Sequence, residues 1–164
     1  MPISELLVTE YDQEMANTRK ALERVPAEKW DWKPHAKSGT LGWMASHIAT
    51  LPQFLITTVN TSEFEIEGSP RVKVDNASEL LKVFDEQRQK GRDALAGVTD
   101  EQLKQTWTLK WKGQVLFAMP KYSVIRVMCL NHIIHHRAQL TMYLRQLDIP
   151  VPALYGPSAD EQNL

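Results

Sequence analysis

PKYSVIRVMCLNHIIHHRAQLTMYLRQL, residues 120–147, is the stretch on which the fold turns. Val124, Met128, His132, His136 and Tyr143 recur near one face at 3.6 residues per turn, which predicts one long amphipathic helix from about Pro120 to Leu147. Pro120 suits a first turn, where its missing N–H has no intrahelical partner, and Pro150, Pro152 and Pro157 end regular structure beyond it.

Upstream, three more stretches carry the same period. Leu7, Tyr11, Met15, Thr18 and Leu22 form a stripe on a helix over about 4–24 that Ser4 is placed to cap. Leu41, Met44, Ile48, Leu51 and Leu55 form a second, with Ser38 and Thr40 as candidate caps and Pro52 as a source of a kink. Leu80, Phe84, Arg88, Gly91 and Leu95 form a third, opened by a capping-box pattern of Asn76 and Glu79. Residues 61–74, with Gly68, Pro70 and scattered charges, show no helical period and read as one long crossover between helix pairs. Residues 107–119, WTLKWKGQVLFAM, alternate in part around Lys112-Gly113 and predict a small β-hairpin, which needs packing against the helices to be stable. The expectation is an all-α chain, a four-helix bundle, with residues 1–164 as a single domain.

Composition narrows function. Nineteen basic and 20 acidic residues leave a formal charge of -1, so no global field draws nucleic acid, and no helix-turn-helix signature or basic groove is visible. Glu5 and Glu10 interrupt what would have to be a signal sequence, and no window approaches ~18 uninterrupted apolar residues, so neither membrane insertion nor export is expected. Cys129 is the one cysteine, which excludes an internal disulfide and multi-cysteine metal sites and suits a cytoplasmic setting.

The chemistry-bearing residues are histidines. His132 and His136 lie four apart, about 40° in direction and about 6 Å along a helix axis, so both rings can aim at one point. His47, near the inward face of the second helix, is placed to supply a third imidazole from another element, a ligand set that leaves open coordination positions on a transition metal. The competing reading treats each as a core histidine hydrogen-bonded to a carbonyl or side chain. Burying three imidazoles among Met44, Leu51, Ile125 and Met128 carries a desolvation cost that one cation relieves for all three together.

Other candidates are double-edged. His135 points about 100° from His136 and reads as a surface or supporting residue. Ile133 follows His132, so the helical Glu of the His-Glu-x-x-His zinc proteases is missing. Glu14 either reaches inward beside the Tyr11–Met15 stripe or is a solvated helix-edge carboxylate. Arg88 either meets an anionic substrate or packs its stem along the core with its head in water. Cys129 reads as an inert buried hydrophobe and not as the nucleophile, while Trp43, Trp107 and Trp111 either line a ligand cavity or fill core and interface.

Gly42-Trp43-Met44-Ala45-Ser46-His47, together with Asn131-His132-Ile133-Ile134-His135-His136-Arg137-Ala138-Gln139, resembles the DinB family of metal-binding four-helix bundles, and residues 149–161 resemble the ending of many of its members. The resemblance spans nearly the whole chain. It implies an up-down-down-up bundle, often a homodimer, with a divalent ion (zinc, nickel or iron) held by His47, His132 and His136. The family's usual His-Arg-Gly-Gln is here His136-Arg137-Ala138-Gln139, which puts a methyl group where another helix is expected to pass. Characterised relatives include S-transferases using bacillithiol or mycothiol and a thiol-dependent maleylpyruvate isomerase. The leading expectation is therefore a metal-dependent S-transferase that directs a low-molecular-weight thiol at a small electrophile. Metal-assisted hydrolysis and a non-enzymatic, metal-stapled bundle are the alternatives, and no single residue is assigned as catalytic.

Overall fold

Pro2 precedes the first helix, α1 (Ile3–Leu22), whose leading N–H groups lie outside the reach of its own carbonyls. Ser4 does not cap it. The Ile3 N–H donates instead to Asp100 Oδ1 at 2.8 Å, a cap from 97 residues away that local pattern cannot announce. The computed structural model describes residues 1–162. Within them the chain is mostly helical with one small sheet: α2 (Leu41–Thr50), α3 (Pro52–Asn60), β1 (Glu63–Glu65), α4 (Leu80–Ala96), α5 (Asp100–Lys104), β2 (Thr106–Trp111), β3 (Gln114–Pro120), α6 (Lys121–Val124) and α7 (His132–Gln146).

Several boundaries differ from expectation, each for a local reason. Thr40 caps α2, its side chain accepting from the Trp43 N–H at 3.0 Å. Pro52 does more than kink the second helix: lacking an N–H, it ends α2 and occupies the first position of a separate α3. Asn76 forms no reciprocal box with Glu79; its side chain accepts from the Ser78 N–H at 3.1 Å and starts a single 3₁₀ turn before α4. A capping box does form, between Thr99 and Gln102, at the start of α5. The last predicted helix is continuous in path but not in winding, because Ile125–Asn131 between α6 and α7 is a π-helix. Such wide turns rotate everything beyond them around the axis, and they concentrate at functional sites.

The hairpin forms as predicted, with Lys112 and Gly113 both at positive φ (51° and 73°), the geometry of a tight two-residue turn. Its sheet has a third member. Within the segment read as plain crossover, β1 pairs parallel to β2, Phe64 opposite Leu109, to give the order β1-β2-β3. The Glu65 carboxylate fixes this addition by accepting from the Lys112 and Gly113 N–H groups at 3.1 and 2.9 Å. Trp107, with no exposed surface, packs behind the sheet with Leu109, Val124 and Phe54, and its indole N–H donates to Thr61 Oγ1 at 3.0 Å. The sheet is thus seated on α3 and α6, as a marginal hairpin requires. Buried Lys121 ties the two helices together, its Nζ donating to the Val59 carbonyl at 2.8 Å near the C-terminus of α3.

One apolar core joins the predicted stripes: Leu7, Tyr11, Met15 and Leu22 of α1, Met44 and Ile48 of α2, Leu55 of α3, Phe84 and Leu95 of α4, Ile133 and Leu140 of α7. Tyr11 and Gly91 show how closely α1 and α4 approach. A Cβ on Gly91 would lie 2.4 Å from the Tyr11 hydroxyl, which donates to the Arg88 carbonyl at 3.0 Å. Arg88 itself does not enter the core; the buried polar position on this face is Gln87.

Candidate metal centre

His47 lies on α2, held by the Thr40 cap, while His132 and His136 open α7 directly after the π-helix. Packing of α2 against α7 brings the three rings together. His47 Nε2 is 3.3 Å from His132 Nε2, His132 Nε2 is 2.9 Å from His136 Nε2, and one ligand nitrogen from each of the three lies within 4.8 Å of the others. Zinc–imidazole bonds of about 2.0–2.1 Å in a tetrahedral arrangement place ligand nitrogens about 3.3 Å apart, so this spacing fits a divalent ion.

Neighbouring groups orient the rings. His136 Nδ1 lies 2.7 Å from Gln139 Oε1; the amide oxygen accepts only, so Nδ1 carries the proton and the Nε2 lone pair faces the cluster. The indole of Trp43, one turn before His47, stacks on its ring at a centroid distance of 5.2 Å and an interplanar angle of 9°. Burial, together with the neighbouring His136 and His132 and the charge of Arg71, pushes the His47 pKa down to about 4. His132 is lowered as well, first by burial and then by His136, against a hydrogen bond to the Met128 backbone that acts the other way. These rings are thus neutral at pH 7, the form in which imidazole binds metal. Three converging Nε2 atoms have few protons to share, and a cation satisfies their lone pairs at once.

Two hollows meet at His47. A cavity of about 230 Å³ is walled by Phe54, Phe64, Ile66 and Met128, with His47 and His132 also lining it. A more open groove of about 340 Å³ runs past Trp43, Ser46, Lys73 and Asp75. Arg71 borders both.

The remaining candidates separate. His135 is exposed, its ring 4.9 Å from that of His136. Cys129 is completely buried, and burial raises its thiol to about 12, which keeps it protonated and unreactive. Trp107 fills core, Trp111 is exposed, and Trp43 is half-exposed at the cluster. Ala138 is exposed, so its methyl displaces no packed neighbour.

Glu14 is a correction to the solvated-edge reading: it is 5% exposed and binds buried Arg137, with Arg137 Nη2 2.7 Å from Glu14 Oε2. Arg137 also donates to the Glu14 carbonyl and Thr18 Oγ1, at 3.0 and 3.1 Å. The Tyr155 hydroxyl completes the network by donating to Glu14 Oε2 at 2.6 Å, which ties the C-terminal tail to α1 and α7. Sequence reading missed Arg137, Gln139 and Phe64 as contributors. Gln139 had a usable signal, since a Gln three residues after a helical His is within reach of its ring, whereas Arg137 and Phe64 depend on partners far away in the chain.

The chain is similar to several known proteins. The uncharacterised protein YrdA of Bacillus subtilis is 26% identical over 166 residues, covering 92% of this chain and 87% of the relative. The crystal structure of a DinB-like protein from Bacillus cereus superposes with a TM-score of 0.72 at 25% identity, covering 92% of this chain and 97% of that one. A DinB-like protein, YjoA, from Bacillus subtilis gives the same TM-score at 17% identity, with 96% and 99% covered, and so speaks for the fold alone. The DinB superfamily pattern matches residues 10–140, a span that includes all three clustered histidines, and the chain belongs to that superfamily.

Proposed function

We infer that this protein is a metal-dependent enzyme in which His47, His132 and His136 hold one divalent ion, zinc, nickel or iron, and a low-molecular-weight thiol is directed at a small electrophile. The observation that carries this reading is the convergence of three imidazoles, two of which line a cavity. Among the described residues no carboxylate or thiol joins the cluster, so the protein supplies three ligands, the number found in catalytic zinc sites and fewer than in closed structural ones. A divalent ion held there lowers the pKa of a thiol or water brought to it. Gln139 sets the tautomer of His136, Trp43 holds the plane of His47, and Phe54, Phe64 and Met128 keep bulk water from one side.

Thiol transfer is preferred to hydrolysis because the cluster includes no carboxylate placed as a general base. The buried, protonated Cys129 leaves any attacking sulfur to be supplied by a cosubstrate. We further propose the up-down-down-up bundle order, a single domain over 1–164, a cytoplasmic setting and a homodimer. Exposed Trp111, Val115 and Leu116 on the hairpin offer apolar surface for a second copy, and the mass in solution by light scattering should be that of two chains; one chain overturns the dimer.

Elemental analysis of untagged protein tests the centre itself. About one equivalent of metal is expected in the wild type and its loss in both His47→Ala and His132→Ala. A wild type that stays metal-free after reconstitution with zinc, nickel and iron would instead identify a binding or structural bundle.

A further inference from the structure

Six of the eight arginines in this protein are paired. Arg19, Arg24, Arg92, Arg126, Arg137 and Arg145 each contact a carboxylate. Among the described residues Arg71 and Arg88 have no such partner, and of these two only Arg71, an exposed residue, lines the cavity that His47 and His132 also line. The cavity wall holds no Asp or Glu, so nothing in it neutralises this guanidinium.

The two threonine hydroxyls of the cavity have their hydrogens committed to backbone carbonyls. Thr50 Oγ1 donates to the Ser46 carbonyl at 3.0 Å, and Thr57 Oγ1 to the Gln53 carbonyl at the same distance. Gln53 Oε1 accepts from the Val72 N–H at 3.0 Å, which anchors the loop carrying Arg71 onto α3. The remaining wall is apolar: Phe54 and Phe64 meet edge-on at 6.3 Å, with Ile66 and Met128 beside them. The space corresponds to about eight waters of liquid volume, right for a short acyl or aryl group.

We propose that the cavity binds a small anionic molecule with an apolar body, its carboxylate or similar oxyanion forked by Arg71 and its body enclosed by Phe54, Phe64, Ile66 and Met128. A carboxylate brought near an apolar wall needs a charged, geometrically matched partner, and a guanidinium presents two parallel donors for that purpose. The inference rests on the metal-centre reading only for which end of the ligand faces the chemistry; recognition by Arg71 needs no ion.

Calorimetric titration with 4-phenylbutyrate and its neutral counterpart 4-phenylbutanamide tests this in zinc-loaded and chelator-treated protein. The acid is expected to bind at least about tenfold more tightly than the amide in both preparations, and Arg71→Gln should abolish that preference. Equal binding of acid and amide by the wild type would overturn the proposal. So would acid binding that requires zinc and ignores Arg71→Gln, since the carboxylate would then sit on the ion, and the metal centre would stand without this subsite. Conversely, Arg71-dependent binding in protein that takes up no metal sustains the subsite and removes the metal centre.

Discussion

Protonation of His47 gives the metal-free protein a pH-dependent stability. Its pKa falls from 6.5 in the unfolded chain to about 4 in the fold, so between these values the unfolded chain binds a proton that the folded chain does not. Stability therefore rises with pH across that window, and the His47 contribution is lost progressively as pH drops from about 6.5 toward 4. The melting temperature of chelator-treated protein should decline over this range, and His47→Gln should flatten the decline; an unchanged slope would assign it to other groups. The i, i+4 pair His132–His136 was legible because both residues share one helix, where spacing alone sets direction. Burial of Glu14 was not, because the Arg137 that makes it tolerable lies 123 residues away.

Helices α1 and α7 and the C-terminal tail are joined by one buried cation. Arg137 and Glu14 are 2% and 7% exposed at the side chain, and the guanidinium lies 5.2 Å over the Tyr155 ring. Arg137→Ala strands the Glu14 carboxylate and should cost about 3–5 kcal/mol. Tyr155→Phe removes one hydrogen-bond partner and should cost about 0.5–1.5 kcal/mol. Urea denaturation measures both, and comparable losses for the two variants would shift the weight from the ion pair to the tail. At this scale the apolar stripes and the Lys112-Gly113 turn could be read from periodicity and turn chemistry, since each reports on its own few residues. The π-helix over 125–131, which packs against α3, could not, because a stripe of the right period is compatible with either winding.

For the whole molecule, an ion bound at the histidine cluster would either hold the fold or work within it. The core of Tyr11, Ile48, Leu55, Phe84, Ile133 and their neighbours closes without any group from the histidine cluster. Chelation should therefore leave the far-ultraviolet circular dichroism intact, and readdition of zinc should raise the melting temperature by ordinary ligand linkage, about 2.7 kcal/mol of stabilisation at a hundredfold excess over Kd. Collapse of the helical signal on chelation would mark the ion as a staple. By itself the sequence determined four amphipathic stretches, the hairpin, and two histidines aimed at one point, because helical and strand periodicities are local and survive without knowledge of partners. The sequence also put His47 forward as a third imidazole, but only tertiary structure decided that its Nε2 lies 3.3 Å from that of His132, that β1 joins the hairpin to wall the cavity with Phe64, and that Glu14 lies inside. Those outcomes depend on contacts between residues tens to more than a hundred positions apart, where no short-range spacing rule carries the information.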